Sequence, residues 1–370
     1  MLTPSRAQRT PHASRRRAAW SVVTAGVCAT TLILAGCSGD DAEEPVPTPT
    51  TEVTPGATAD KQAPPAPAVP PTWALTGVAA TDIVARPALA VKIENSKEAR
   101  PQTGLENADV VWEEMVEGGV TRYIAVYHSQ VPETVGPIRS VRPMDSNIIA
   151  PLRGLMAFSG GQPGFVQSVS AVGLQVISHD GGASGFYRAS GRRAPHNVYG
   201  TPATFLSQAD TEHSAPPAPE FVFARDAAQA TAVVAGAPTN AVSITMSRYS
   251  QPSWTWDGAS GSFLRSEAGT PAVSADGVRL AATNVVVMSM SMYNTGTVDP
   301  AGSPVPETEV VGTGPALVAT GGMSVAATWS KASPADPFVL TAADGTPVTL
   351  APGGTWVELV PTTSGSFTTS

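Results

Sequence analysis

The sequence predicts an α/β (α+β) protein, with an N-terminal mixed-sheet part of layered strands and helices followed by a β-rich C-terminal part. Three observations predict it. From about Trp73 to Ser214, short apolar runs alternate with helix-start signals. From about Ala215 to Val360, Gly, Asp-Gly and Gly-Gly turns separate β-branched and aromatic runs, and helical signals are scarce. Both cysteines, Cys28 and Cys37, precede the folded part, so its core must hold without disulfides or a cysteine metal site.

The chain opens with Arg6, Arg9 and Arg15-Arg16-Arg17, and its first acid is Asp40. An apolar segment from Ala18 follows, closing on Leu34-Ala35-Gly36-Cys37. This is the pattern of a secretory signal over residues 1–36, and its last four residues resemble the lipobox of bacterial lipoproteins. Cys37 is then the expected lipidation site, a carrier of palmitate that anchors the chain to the extracytoplasmic face of the bacterial cell membrane. Loss of the five arginines takes the formal charge from −8 to −13, which argues against nucleic acid as a partner. Residues 37–72 read as a disordered tether rich in Pro, Thr and Ala, because such a run cannot bury a core.

The folded part begins near Trp73. Ala88 to Glu94 predicts a strand, and Gln102 to Ala108 a loop or short helix. Val110 to Val116 and Thr121 to His128 predict a hairpin around Gly118-Gly119. With the Gly pair as its turn, Met115 faces Arg122 and Glu113 lies diagonally across from Arg122. Pro143 suits the first position of a helix running to about Gly154, with Pro151 as its stop. Leu155 to Phe158 and Leu174 to Ser178 predict strands flanking a helix over Phe165 to Val172, and Thr201-Pro202 predicts another helix start. Beyond Ala237 the predicted strands include Ala241 to Arg248, Ser253 to Trp256, Ser262 to Arg265, Asn284 to Tyr293, Ala316 to Thr320, Ser324 to Trp329 and Trp356 to Val360.

Charge is sparse overall, at 14% Asp, Glu, Lys and Arg, yet it gathers between Glu113 and Asp145. Arg122, Arg139 and Arg142 are the anion-binding candidates, since a guanidinium fork grips phosphate or carboxylate bidentately. Arg142 would stand at a helix N-terminus. His196 and Asn197 join them: Pro195 holds their loop extended, and Arg192-Arg193 should disfavour the imidazolium. Glu114, Glu117 and Asp145 are the acidic candidates, open to pairing with the arginines or to holding a divalent cation. No His-x-x-x-His, His-Glu-x-x-His or Gly-x-Ser-x-Gly string is present. Trp254, Trp256 and Trp329 fit either a glycan platform or core.

Several strings together resemble the YerB-like lipoprotein family, a two-domain family of unknown function. They are Ala90-Val91-Lys92-Ile93-Glu94-Asn95, Ala99 to Leu105, Glu117-Gly118-Gly119-Val120-Thr121-Arg122, Gly136 to Pro143, Ala194 to Tyr199, Ala282 to Val287 and Gly353 to Val357. The resemblance implies a YerB-like N-terminal domain over 73–214 and a C-terminal domain over 215–370, and brings no assigned activity. The expected function is a membrane-anchored cell-envelope lipoprotein that binds an anionic or glycan ligand, such as a cell-wall glycan or phosphorylated molecule, at an Arg-rich cleft. The alternatives are a metal-assisted transferase or hydrolase of phosphoryl- or pyrophosphate-linked envelope glycans, and a structural envelope scaffold.

Overall fold

Three strands form the middle of the molecule: β1 (Leu89–Glu94), β2 (Val110–Met115) and β3 (Thr121–Tyr127), with β3 antiparallel to both others. Every residue of β1 and β3 is buried, because layers cover both faces of the sheet. The computed structural model describes residues 70–370. The expected signal peptide, Cys37 and nearly all of the tether lie outside the described residues. Among the described residues no helix is long and apolar enough to cross a membrane.

On one side the sheet continues through β4 (Leu155–Phe158) and β5 (Gln175–Ser178), each added in parallel. Helix α1 (Pro143–Ile149) precedes β4, and helix α2 (Pro163–Ala171) makes the crossover to β5. Pro143 opens α1 as expected, and a 3-10 turn over Ala150–Leu152 closes the segment before Gly154. On the other side Thr355–Pro361, from the β-rich half, lies parallel to β2. Asn284–Met290, Gly312–Thr320, Met323–Lys331 and Val339–Thr341 follow it outward. The large sheet therefore has 11 strands and runs unbroken from the α/β half into the β-rich half. A 6-stranded sheet built on Ala241–Thr245, Pro252–Asp257, Ser262–Glu267 and Ser366–Thr369 forms a further layer.

Side chains alternate across the large sheet. Ala90, Trp112, Ile124 and Val126 face one way and pack with Met144 and Ile148 of α1 and Val169 of α2. Val91, Ile93, Val111, Tyr123 and Ala125 face the other way and pack with Val242, Ile244, Trp254 and Phe263 of the smaller sheet. Each large apolar side chain fully buried in these layers stabilises the fold by about 1.5–3 kcal/mol.

Two details correct the sequence reading. The hairpin turn is longer than the Gly pair: Val116 donates its N–H to the Val120 carbonyl at 2.8 Å, and Glu117–Gly119 forms a 3-10 turn inside that closure. The register is therefore Met115 opposite Thr121, Glu114 opposite Arg122 and Glu113 opposite Tyr123. A slip of one residue reverses the face of every side chain, so Glu114, and not Glu113, shares a face with Arg122. The strand expected over Asn284 to Tyr293 is two strands, Asn284–Met290 and Met292–Val298, and the second leaves the large sheet to pair with Pro304–Thr308.

Candidate functional site

Three residues of the central strands project from the α1 face. Lys92 comes from β1, Glu114 from β2 and Arg122 from β3, joined by Asp145 in the first turn of α1. Lys92 is fully buried, and its ammonium bridges Glu114 and Asp145, which are also fully buried. The Lys92 Nζ to Asp145 Oδ1 distance is 2.9 Å. Burial, and then the Asp145 charge, push the Glu114 carboxyl well above the ordinary carboxylate range, against the pull of Lys92. The position between the two carboxylates that a cation would take is thus filled by the ammonium. Among the described residues there is no group of three or more His, Cys, Asp or Glu side chains placed to hold a metal ion.

Asp145 also closes the start of α1, where its Oδ2 accepts the Arg142 N–H at 2.9 Å. The Arg142 side chain turns away from the helix axis to Glu117, donating from Nη2 to Oε2 at 2.7 Å and placing Nε 2.5 Å from Oε1. Arg142 does stand at the N-terminus of α1, where a carboxylate accepts its own backbone N–H, and α1 has only 7 residues. Arg139 lies 3.4 Å from Glu94 and keeps 24% of its side chain exposed. His196 Nδ1 lies 2.9 Å from the same Glu94 oxygen. Its charged neighbour is thus a carboxylate, whereas Arg192 donates to the carbonyls of Ala99 and Pro101. Asn197 stands apart, buried under Arg188, whose Nη1 donates to its Oδ1 at 2.8 Å.

Arg122 differs from the other two arginines. It lies in register between Glu94 on β1 and Glu114 on β2. Neither carboxylate pairs with it: among the described residues it has no ion-pair partner, and its Nη1 donates to the Ser140 carbonyl at 2.6 Å. Arg142 Nη1 approaches the same carbonyl at 3.5 Å. Burial, and then the charges of Arg142 and Arg139, lower the Arg122 guanidinium to about 9, against the pull of Glu117 and Glu94. The irregular segment after Ile138 gathers the three guanidinium groups, although Arg139 and Arg142 could not face one way on a regular strand. The half-buried Ser140 and Ser159 hydroxyls, 3.4 Å apart, lie beside them.

The opposite face of the same strands carries a second group that sequence reasoning missed. Arg265, on Ser262–Glu267 of the smaller sheet, is 1% exposed and donates to Glu113 Oε2 at 2.5 Å and Glu267 Oε2 at 3.1 Å. Glu358 sits in register beside Glu113 and accepts the Trp254 indole N–H at 2.8 Å. Burial, and then Glu113, push the Glu358 carboxyl well up. The signal available in sequence was a lone charge inside the apolar run Trp356-Val357-Glu358-Leu359-Val360. Trp254 and Trp329 are buried in core, so neither serves as a glycan platform.

Comparison with known proteins agrees with this architecture. A crystal structure of YerB from Bacillus subtilis superposes with a TM-score of 0.68 at 23% identity, covering 80% of this chain and 99% of that one, and shares the fold. A protein of Bacillus subtilis (strain 168), described as a candidate lipoprotein and named YerB, is 38% identical over 120 residues. That stretch is 32% of this chain and 36% of the relative's length. Residues 75–215 match the family described as "Protein of unknown function (DUF3048) N-terminal domain", and residues 242–357 match its C-terminal domain. The chain belongs to this two-domain, YerB-like family.

Proposed function

We propose that this chain is a lipid-anchored lipoprotein of the bacterial cell envelope that holds an anionic ligand, a phosphate or carboxylate group of an envelope molecule such as an anionic glycan, at Arg122, Arg139 and Arg142. The lipobox ending at Cys37 and the description of the Bacillus relative support the anchor. The observation that carries the ligand is Arg122: a guanidinium only 7% exposed, without a carboxylate partner among the described residues, next to two more guanidinium groups. A buried charge in that state is costly, and an anion would add counter-charge to that of Glu117 and Glu94, which pair directly with Arg142 and Arg139. Arg139 and His196, each 24% exposed along the side chain, form the outer rim.

Calorimetric titration of phosphate and pyrophosphate tests the reading, with Arg122→Met as the variant. This change removes a repelled, desolvated charge, so the fold is retained. A charge-assisted hydrogen bond contributes roughly 1.5–3 kcal/mol, so affinity should fall about ten- to hundred-fold. Equal affinities in the two proteins, or no binding by either at millimolar anion, would refute it. For the anchor, Cys37→Ala should abolish palmitate labelling.

A further inference from the structure

We propose that the cleft between the central strands and the smaller sheet is a second, separate binding site, for an uncharged amphipathic small molecule with an apolar body and a hydroxyl, carbonyl or amide head. The cleft measures about 810 Å³ and is lined by residues 95–102, by β3 and the turn before it, and by residues 249–280. Both family domains therefore build its walls. Its volume falls in the range of small-molecule pockets, about 300–1,000 Å³.

The walls are mostly apolar, with Pro101, Val120, Pro271, Val273 and Leu280 among them. Charge at the floor is already matched. Arg265 is held by Glu113 and Glu267, and its guanidinium lies over the rings of Trp356, Tyr123 and Trp254 at 5.1, 5.6 and 5.8 Å. Arg100 donates to the Asn95 side chain and carbonyl, each at 2.9 Å, and stands 3.6 Å from Glu267. Lys97 and Glu98 stand exposed at the rim without ion-pair partners among the described residues, but at the floor a charged head group would lose its hydration without meeting a free counter-ion.

What the floor leaves open is neutral. Tyr123 lines the cleft and is 2% exposed, yet its phenol has no hydrogen-bond partner among the described residues. The phenol oxygen is not among the enclosed polar atoms, so it keeps some exposure at the cleft and a ligand can reach it. Burial pushes its pKa well up, so it stays a neutral donor. Gln102 is similar: its Nε2 donates to the Glu94 carbonyl and Asn95 Oδ1, while its Oε1 receives no donor among the described residues. One donor and one acceptor at the end of an apolar cleft suit a head group that carries no charge.

Benzophenone is a fitting probe, being apolar, uncharged, equipped with one carbonyl acceptor and able to label its surroundings on irradiation. Applied to the full chain in membranes, it should label Val120, Tyr249, Val273 or Leu280 saturably, as mapped by peptide mass spectrometry. Its anionic analogue 4-benzoylbenzoate should label them at least tenfold less. Val273→Trp, at a position 38% exposed on the cleft wall, should abolish labelling while leaving the fold intact. Tyr123→Phe removes one neutral hydrogen bond and should weaken labelling about three- to tenfold. Arg122→Met should leave it unchanged, which separates this site from the anion site. Unsaturable labelling spread over the surface, undiminished labelling of Val273→Trp, or equal labelling by the anionic analogue would overturn the proposal.

Discussion

Replacing Lys92 with Met should expose how much the buried charges on the α1 face depend on one another. Lys92, Glu114 and Asp145 are all fully buried, and the ammonium is the counter-ion of both carboxylates. Met keeps the length and apolar stem of Lys but leaves two acids without it. Breaking a buried pair from one side costs about 3–5 kcal/mol. A second route gives a similar figure. The cheapest response is for a carboxylate to take up a proton. From an ordinary carboxyl value of 4.5, doing so at pH 7.5 costs about 4 kcal/mol, at about 1.4 kcal/mol per pH unit. At pH 5.5 the same step costs only about 1.4 kcal/mol. A carboxyl whose folded pKa lies above its unfolded value holds protons better when folded, so its contribution to stability shrinks as pH rises through that window. Urea unfolding of wild type and Lys92→Met should therefore show a deficit of about 4 kcal/mol at pH 7.5 that shrinks to between about 1 and 2 at pH 5.5. Adding Glu114→Gln to Lys92→Met should restore part of it. A deficit below about 1 kcal/mol at pH 7.5, or one that does not change with pH, would refute the reasoning.

The remaining predictions concern His128 and the hairpin turn. His128 is 1% exposed with neither ring nitrogen hydrogen-bonded, and burial followed by the Arg86 charge lowers it to about 4. The unfolded chain takes up that proton near 6.5, so stability should be lost as pH falls from about 6.5 to 4, by at most about 3 kcal/mol. His128→Phe, which keeps an aromatic ring against Trp73, should remove this loss in urea titrations between pH 7 and 4. In the turn, Gly118 and Gly119 both have positive φ, at 70° and 75°. Gly118→Ala has open space for its Cβ and should cost about 1 kcal/mol from backbone strain alone. Gly119→Ala would place its Cβ 3.2 Å from Ser247 Oγ and should cost more, about 1–2 kcal/mol, in the same assay.

Local features of this chain could be read from local residues. Pro143 marks the start of α1, the apolar runs mark β1 to β5, and frequent Gly turns mark the β-rich half. What escaped was set by contacts between distant residues. Nothing near Val110 signals that Thr355 will pair with it in parallel, so the continuity of the sheet could not be inferred. The hairpin register depended on whether Glu117 belongs to the strand or the turn, and in the turn it pairs with Arg142, 25 residues away. The second charge cluster escaped because Glu113 and Arg265 lie 152 residues apart.

The adjacent pair Glu113-Glu114 explains why that register matters. Successive residues on a strand face opposite ways, so β2 sends one carboxylate into each layer. Glu114 meets Lys92 and Asp145 beneath α1, and Glu113 meets Arg265 beneath the smaller sheet. Thr355–Pro361 then adds Glu358 beside Glu113, in parallel register along the other edge of β2. Slipping β2 by one position would bring at most one glutamate back beside a cation and leave the other buried carboxylate unpaired, while Lys92 and Arg265 would keep only Asp145 and Glu267. Each unpaired buried ion costs several kcal/mol, more than a shifted apolar contact does. The apolar residues of β2 discriminate little between registers, because Val110, Val111 and Trp112 would be buried on either face. In this sheet the hydrophobic layers supply the stability, and the two oppositely directed glutamates select the alignment that brings the halves of the chain together.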